Sequence, residues 1–149
     1  MRIVNTKEIS KAVEKLLVEA NYFLPDSLAN RIKAFQDKET NTLAKSVLSK
    51  LTENLDAAKE LNVPICQDTG MAVIFLEIGQ QVFLEGELLE DAVNEGTANA
   101  YIGGYMRKSI VKDPLFDRKN TNDNTPAVIH TKIVPGDKIK ITVAPKGFG

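Results

Sequence analysis

The sequence predicts an α+β fold, with a helical amino-terminal third followed by a small mixed β-sheet, a further helix and a C-terminal β-hairpin. Apolar residues recur with a helical period over roughly the first sixty positions. Pro64 then breaks that pattern. Beyond it lie a continuous apolar run, Met71–Leu76, and two β-patterned stretches on either side of Pro135-Gly136. The chain of 149 residues has the size of one domain, and we expect residues 1–149 to form one.

Three helices are predicted in the first third. Asn5 and Glu8 have the spacing of a capping box at the start of the first helix, Pro25-Asp26 opens the second, and the third begins near Thr40 or Asn41. Each helix carries an apolar stripe that we expect to pack in the core. The stripes comprise Ile9, Val13, Leu16, Leu17 and Ala20; then Leu28, Ile32 and Phe35; then Val47, Leu48, Leu51, Leu55 and Ala58.

The second half alternates between strand and helix patterns. The segment Met71–Ile78, whose first six residues are all apolar, predicts a strand buried on both faces. A helix is predicted from about Glu87 to Tyr101, and Gly103-Gly104 would end it by supplying positive φ.

A long polar segment then separates this helix from the last strands. Residues Lys108–Pro126 form a loop that is long for a compact domain, which indicates a mobile or functional segment. Ala127–Val134 and Lys138–Val143 are predicted to pair as an antiparallel hairpin through a type II turn at Pro135-Gly136, with Gly136 at positive φ.

The composition excludes several classes of function. Nineteen basic and twenty acidic residues are mixed along the chain and leave a net charge of −1, so it lacks the basic stripe that nucleic-acid binding requires. Met1–Lys7 contains no apolar signal core. The longest apolar run is far shorter than the ~20 residues that span a bilayer, and the one cysteine cannot form an internal disulfide. We therefore expect a cytoplasmic protein that binds neither nucleic acid nor membranes.

The tripeptide Cys66-Gln67-Asp68 is the first candidate for chemistry. A thiol, an amide and a carboxylate follow one another between a helix and a strand, and Gly70 allows a sharp turn or a close approach to a ligand. Thiolates are the usual ligands of iron–sulfur clusters. Most lone cysteines are instead small buried hydrophobes, and a nucleophilic cysteine with His130 as its base is a further alternative. Spacing alone does not decide among these interpretations.

Two other segments have the chemistry of anion binding. Arg107, Lys108 and Ser109 begin the long loop, and an arginine binds a carboxylate or phosphate through two parallel hydrogen bonds, although a solvated basic turn has the same composition. At the other end of the sequence, Gly147-Phe148-Gly149 follows a strand, and its backbone N–H groups could face an anion. His130 stands alone in a strand pattern, where we expect a half-exposed structural side chain.

In order and together, these segments resemble one known family. The Cys-Gln-Asp-Thr-Gly motif of residues 66–70 is the most specific of five motifs that are similar to the class I fumarases and the related L-tartrate dehydratase α subunits. The resemblance covers the chain from its first helix onward. It implies that the chain is the amino-terminal part of such an α subunit. The five motifs are Pro64–Gly70, Met106–Ser109, Arg118–Ala127, Ile133–Asp137 and Ala144–Gly149.

The resemblance implies a [4Fe-4S] cluster that is held by three cysteines and has one iron open to substrate. Cys66 matches the first of these cysteines, and the sequence contains no other. We therefore expect this chain alone to lack the cluster and to be inactive. The remainder of the α subunit and a β-type subunit or domain would complete the site, in a homo-oligomer.

The resemblance also implies roles for particular residues. Gln67 and Asp68 match positions beside the substrate, Arg107 matches a carboxylate-binding arginine, and Gly149 falls in a glycine-rich loop near the substrate. The general base of the family lies outside this sequence, so no residue here is assigned as catalytic. His130 matches no catalytic histidine.

The implied activity is that of a hydro-lyase, with the open iron as Lewis acid. Hydration of fumarate to L-malate, a step of the tricarboxylic acid cycle, is the first expectation. Dehydration of L-tartrate is the alternative, because both substrates are C4 dicarboxylates. A non-enzymatic domain that only folds or dimerises is a second class. A cysteine–histidine hydrolase is a third, and it would need a reactive thiolate at Cys66.

Overall fold

The computed structural model describes residues 1–148, and Gly149 lies outside the described residues. A mainly helical amino-terminal part is followed by a mixed sheet with one further helix, which confirms the predicted α+β fold class. The elements in chain order are β1 (Arg2–Asn5), α1 (Thr6–Tyr22), α2 (Asp26–Lys38), α3 (Thr42–Leu61), β2 (Met71–Gly79), β3 (Val82–Glu85), α4 (Leu89–Gly103), β4 (Val128–Val134) and β5 (Ile139–Lys146).

The core lies between a three-stranded sheet and the two helices α1 and α4. The sheet has the order β4-β2-β5, with β4 parallel and β5 antiparallel to β2. Helices α1 and α4 cross so closely that a Cβ on Gly96 would lie 2.3 Å from the carbonyl oxygen of Ser10. The core side chains are Val4, Ile9, Val13, Leu17, Ala72, Ile74, Leu76, Ile78, Val93, Ala100, Tyr101 and Met106.

Strand β2 alternates between a buried and an open face. Ala72, Ile74, Leu76 and Ile78 are buried, whereas Phe75 on the opposite face is 43% exposed. The prediction of burial on both faces is therefore wrong for the described residues. Both helices that cover the sheet pack against the same side of it, and the apolar residues of the other face remain uncovered.

The predicted hairpin between the last two strands is wrong in its pairing, although both strands and the positive φ of Gly136 (102°) are confirmed. Strand β2 lies between them and bonds to each. The connecting turn passes over the end of β2, where the Gly79 N–H donates to the Lys138 carbonyl oxygen at 2.8 Å. A Cβ on Gly79 would lie 2.4 Å from the Gly136 carbonyl oxygen. The small residue at the end of β2 makes this crossing possible.

Two short strands were not predicted from the sequence. β1 and β3 form a separate parallel pair, and β1 leads directly into α1. Asn5 caps α1 as predicted, because its side chain accepts a hydrogen bond from the Lys7 N–H at 2.9 Å. This bond goes to Lys7 and not to Glu8, so the cap is confirmed without the predicted capping box.

Helix α4 begins and ends close to its predicted limits, but its two terminal glycines act differently from the prediction. Gly104 has an ordinary φ of −88°, and the positive φ belongs to Tyr105, at 53°. Gly104 is needed for space, because a Cβ there would lie 2.6 Å from the Ala100 carbonyl oxygen.

Helices α2 and α3 begin where predicted, but their apolar stripes do not enter the core. Asn41 caps α3 by accepting hydrogen bonds from the N–H groups of Leu43 and Ala44, at 3.0 and 3.1 Å. No residue of α2 is buried, and Ala58 is the only buried residue of α3. The expectation that these stripes are core is therefore wrong within residues 1–148. The exposed large apolar side chains of the two helices are Leu28, Phe35, Leu43, Val47, Leu51 and Leu61.

None of the helices in residues 1–148 combines the length and the apolar composition that a membrane-spanning segment requires.

Candidate functional site

Three separate segments meet at one edge of the sheet. They are the connection from α3 to β2 (residues 62–70), the turn after α4 (residues 104–110) and the end of β5 (residues 146–148). An open depression of about 360 Å³ lies between the first two segments. Its walls are Pro64, Cys66, Gln67, Thr69, Tyr105, Met106 and Arg107. The structure thus brings Cys66, Gln67 and Arg107, which lie in two motifs some forty residues apart, to one surface.

Backbone hydrogen bonds fix the approach to Cys66. Asn62 ends α3 in the left-handed conformation, with φ of 53°, which asparagine tolerates better than most residues. The Ile65 N–H donates to the Asn21 carbonyl oxygen at 3.0 Å, and the Asn54 side chain donates to the Ile65 carbonyl oxygen at 2.9 Å. The residue before Cys66 is therefore tied to both α1 and α3.

Cys66 itself is exposed. Its Sγ accepts a hydrogen bond from the Asp68 N–H at 3.4 Å, a length normal for sulfur. The interpretation of Cys66 as a small buried hydrophobe is therefore wrong. A cysteine–histidine pair gains no support either, because the His130 ring stacks on Phe75 with centroids 5.0 Å apart and lines a different depression, on the open face of the sheet.

Asp68 joins the Cys66 segment to the end of β5. Its Oδ2 accepts a hydrogen bond from the Phe148 N–H at 3.0 Å. A Cβ on Gly147 would lie 2.9 Å from the same oxygen, so the glycine allows the backbone to approach the carboxylate closely. The segment predicted to face an anion through its N–H groups thus meets an anionic side chain of the chain itself. The Gly149 prediction falls outside the described residues.

Gly70 makes the tightest contact of the site. Its φ is +58°, and a Cβ at this position would lie 1.8 Å from the carbonyl oxygen of Lys146. Both the backbone conformation and the packing therefore require glycine. The sequence indicated that Gly70 would allow a sharp turn or a close approach to a ligand. The group that approaches it is the backbone of β5.

The Arg107 segment is held from behind by buried side chains. The Thr69 Oγ1 donates to the Arg107 carbonyl oxygen at 3.0 Å, and the Tyr22 hydroxyl donates to the Gly104 carbonyl oxygen at 2.9 Å. Met106, 4% exposed, packs in the core. The guanidinium group of Arg107 is left on the surface at the depression, where a ligand can reach it.

Two buried residues that sequence reasoning did not single out connect these segments. The Tyr101 hydroxyl donates to the Thr69 carbonyl oxygen at 2.7 Å, and burial raises the pKa of Tyr101 to about 12. Asn124, which is wholly buried, bonds to Gly70, Ser109 and Ile110. Asn124 belongs to a motif of the family resemblance, but its residue type alone does not distinguish it from its exposed neighbour Asn122.

The long segment between α4 and β4 folds back on itself. The Lys112 N–H donates to the Lys119 carbonyl oxygen at 2.8 Å, and the Thr121 N–H donates to the Ile110 carbonyl oxygen at 3.0 Å. This arrangement carries Asn124 back to the start of the segment, beneath Ser109.

The described residues offer one side chain that suits an iron–sulfur cluster. Cys66 is exposed at the depression, but residues 1–148 contain no group of three or more His, Cys, Asp and Glu side chains placed to hold a metal ion. Because the sequence contains a single cysteine, it cannot supply three thiolates. The donor set therefore fits a partial contribution to such a cluster and does not fit a complete site.

Comparison with protein families identifies the class of protein. The family model described as fumarate hydratase (Fumerase) matches residues 10–149. The chain therefore belongs to the fumarate hydratase family, as the motifs predicted.

Curated relatives carry the name of an α subunit. The chain is 34% identical over 133 residues to the "L(+)-tartrate dehydratase subunit alpha" of Escherichia coli strain UTI89, a match that covers 85% of this chain and 42% of the relative. It is 31% identical over 147 residues to the "Putative L(+)-tartrate dehydratase subunit alpha" of Methanocaldococcus jannaschii, with 95% of this chain and 51% of the relative covered. The chain thus spans about half the length of the curated relatives it matches.

Proposed function

We propose that this chain supplies the amino-terminal part of the active site of an iron–sulfur-dependent hydro-lyase that adds water to a C4 dicarboxylate, with fumarate to L-malate as the reaction. The observation that carries the proposal is the shared depression of Cys66, Gln67 and Arg107. A soft ligand, an amide and a guanidinium group meet there, although they come from separate segments of the chain.

Cys66 is the proposed cluster ligand of this chain. Its sulfur is exposed at the depression, and the two other cysteines would come from outside residues 1–149. A bound cluster with an open iron supplies Lewis acidity toward a substrate carboxylate and hydroxyl. The Asp68 N–H, which donates to Sγ at 3.4 Å, would stabilise the negative charge of the thiolate, since hydrogen bonds to the sulfur tune such sites.

Arg107 and Gln67 are the proposed substrate-binding residues. A guanidinium group binds a carboxylate through two parallel hydrogen bonds. The Gln67 amide can donate to a carboxylate or accept from a hydroxyl. A depression of about 360 Å³ is large enough for a four-carbon diacid, and its open side leaves room for further groups that would close it.

Asp68 has a more limited proposed role. Its carboxylate accepts from the Phe148 N–H, so this oxygen holds the end of β5 beside the depression. We propose that Asp68 acts near the substrate by fixing that backbone, in addition to any direct contact it makes. No residue of this chain is proposed as the general base.

Dehydration of L-tartrate is the second candidate, and the names of the relatives in Escherichia coli and Methanocaldococcus jannaschii favour it. Tartrate carries two carboxylates, as fumarate and malate do, and a hydroxyl group on each of its two central carbons. Arg107 and Gln67 would therefore serve equally for tartrate. A partner is also proposed: because those relatives are named α subunits, a β-type subunit or domain would complete the site.

The test uses the complete enzyme that contains this chain, purified without oxygen and reconstituted with iron and sulfide. We expect hydration of fumarate, followed as the loss of its ultraviolet absorbance, and no activity in Cys66→Ser. Activity on tartrate alone would select the second candidate. If Cys66→Ser kept both its iron content and its activity, Cys66 would not be a cluster ligand. A protein that takes up no iron would favour the non-catalytic folding or dimerisation domain.

Arg107→Lys tests the substrate-binding residue in the same enzyme. A lysine keeps the charge but cannot form the two parallel hydrogen bonds. We expect kcat/KM to fall by about 10-fold or more, which corresponds to at least ~1.4 kcal/mol of lost transition-state binding. The matched control is Arg31→Lys, an exposed arginine of α2, which should leave kcat/KM unchanged. Equal kinetics for the two variants would remove Arg107 from the site.

A further inference from the structure

Asn124 is a buried residue whose side chain bonds to both segments of the depression. It is 0% exposed. Its Nδ2 donates to the Gly70 carbonyl oxygen at 3.0 Å, at the end of the segment that contains Cys66 and Gln67. Its Oδ1 accepts from the N–H groups of Ser109 and Ile110, at 2.6 and 3.2 Å, just after Arg107. One amide therefore spans the two halves of the site.

We propose that Asn124 is a positioning residue that sets the placement of the Cys66–Gln67 segment relative to Arg107. The role attached to the two segments rests on the proposed function, whereas the physical coupling between them does not. Thr69 also links the two halves, because its Oγ1 donates to the Arg107 carbonyl oxygen. Asn124 lies outside both halves, and its side chain bonds to the backbone of each.

Asparagine is the residue type that this position demands. The backbone φ of Asn124 is 63°, a conformation that asparagine and glycine adopt more readily than other residues. The side chain must also accept two hydrogen bonds and donate one over the same short distance. Aspartate lacks the donor, glycine lacks the side chain, and glutamine is one methylene too long. A buried amide costs free energy unless it is bonded, and here both ends of the amide have partners.

The neighbouring contacts make the coupling stiff. The Thr69 Oγ1 donates to the Arg107 carbonyl oxygen, and the Tyr101 hydroxyl donates to the Thr69 carbonyl oxygen. Tyr101 is buried in α4 and cannot move without disturbing the core. Asn124 and Tyr101 thus support consecutive carbonyl groups, those of Gly70 and Thr69, from the same buried side. Removal of the Asn124 donor would leave the Gly70 carbonyl oxygen without that support.

The lone cysteine allows a direct test in the chain as it is, because a nitroxide spin label reacts with Cys66 and with no other residue of the sequence. The label reports nanosecond motion of the Cys66 segment. We expect Asn124→Asp, which keeps the shape and the acceptor but loses the donor to Gly70, to give a faster-moving label than the unsubstituted chain. Asn124→Ala, which loses all three hydrogen bonds, should give a still faster one.

The control is Asn122→Ala. Asn122 is also at positive φ, 67°, but it is exposed, so this variant carries the same backbone penalty without the buried bonds. We expect its spectrum to match that of the unsubstituted chain. Circular dichroism establishes that each variant is folded at the temperature of measurement. A label that moves equally in the unsubstituted chain and in folded Asn124→Asp would overturn the proposal, whatever Asn124→Ala does.

Kinetics of the complete enzyme separate this proposal from the proposed function. A misplacement of about 1 Å can cost about 10²-fold in rate, so we expect Asn124→Asp to lose about that much kcat/KM while retaining its iron, and Asn122→Ala to retain activity. If the unsubstituted enzyme acts on neither fumarate nor tartrate, the proposed function fails, and the spin-label result still decides whether Asn124 positions the segment. If Asn124→Asp is as active as the unsubstituted enzyme, Asn124 is not a positioning residue for the reaction.

Discussion

Two regions of the molecule differ in how far their apolar residues are covered. One is the sheet with helices α1 and α4, and the other is the pair of helices α2 and α3. Leu17 of α1 is fully buried, whereas Leu51 of α3 is 47% exposed. Both leucines lie on amphipathic stripes that looked alike in the sequence. Helices α2 and α3 pack on each other but bury only Ala58 below the surface. A helical apolar stripe thus predicts that a covered face is needed, without specifying which part of the protein provides the cover.

Truncation of the two leucines gives the largest expected difference between the regions. Leu17→Ala should lower the free energy of unfolding by about 2–5 kcal/mol, because it removes buried methyl groups and leaves a cavity. Leu51→Ala should change it by less than about 0.5 kcal/mol in this chain, as is usual for exposed positions. Urea denaturation followed by circular dichroism measures both.

The same two variants can also show that α3 is covered after all. If Leu51→Ala costs as much as Leu17→Ala, then α3 is covered by a second copy of the chain or by another segment under the conditions of the experiment. Repeating the measurement over a range of protein concentrations would separate these cases, since only the second copy makes stability depend on concentration.

Two glycines of α4 provide the next test. Gly96→Ala places a Cβ 2.3 Å from the Ser10 carbonyl oxygen, so α1 and α4 must move apart. Overpacking of this kind costs about 1–3 kcal/mol. Gly103→Ala meets nothing within 4 Å, and alanine should stabilise the helix end by up to about 1 kcal/mol. The melting temperatures of the two variants should therefore shift in opposite directions. A Gly96→Ala variant that melts no lower than the unsubstituted chain would contradict the close helix crossing.

In the region of the sheet, α1 and α4, the stability should depend on pH through the buried Tyr101. Burial raises its pKa to about 12, compared with a value of about 10 when unfolded. The unfolded chain therefore releases this proton first as pH rises. The stability that comes from the protonated hydroxyl is fully present below pH ~10 and is lost between pH ~10 and ~12.

Tyr101→Phe removes both the ionisation and the hydrogen bond to the Thr69 carbonyl oxygen. We expect a loss of about 1 kcal/mol at neutral pH and a flatter decline of stability above pH ~10. Urea denaturation at several pH values measures both effects. An unchanged alkaline decline in Tyr101→Phe would mean that other groups cause it.

The parts of the fold that were predictable depend on neighbours in sequence. The helix starts at Asn5 and Asn41 were predictable because a cap bonds within its own turn. The pairing of the last two strands was not, because it depends on β2, which is some fifty residues away and lies between them. The open face of β2 was also missed, since a run of apolar residues does not reveal whether the chain supplies a second layer.

The candidate site also has a part that was predictable from the sequence and a part that was not. Cys66, Gln67 and Arg107 were identifiable as chemical types and through a family resemblance, but their meeting at one depression depends on tertiary structure. Asn124 and Asn122 have the same side chain and the same sign of φ. Only the fold buries one of them and exposes the other, so no local signal could have chosen Asn124.

The helix caps give the smallest expected effects and the strictest test of the comparison, because capping does not depend on tertiary cover. Asn5→Ala and Asn41→Ala should each cost about 1 kcal/mol, although the first cap starts a buried helix and the second starts an exposed one. Amide hydrogen exchange of α1 and α3 measures each locally. Similar losses in both helices would show that the regions differ in what covers them and not in how their helices begin. A much smaller loss for Asn41→Ala would mean that α3 already frays at its start, and that α2 and α3 acquire their full helical order only when their apolar stripes are covered.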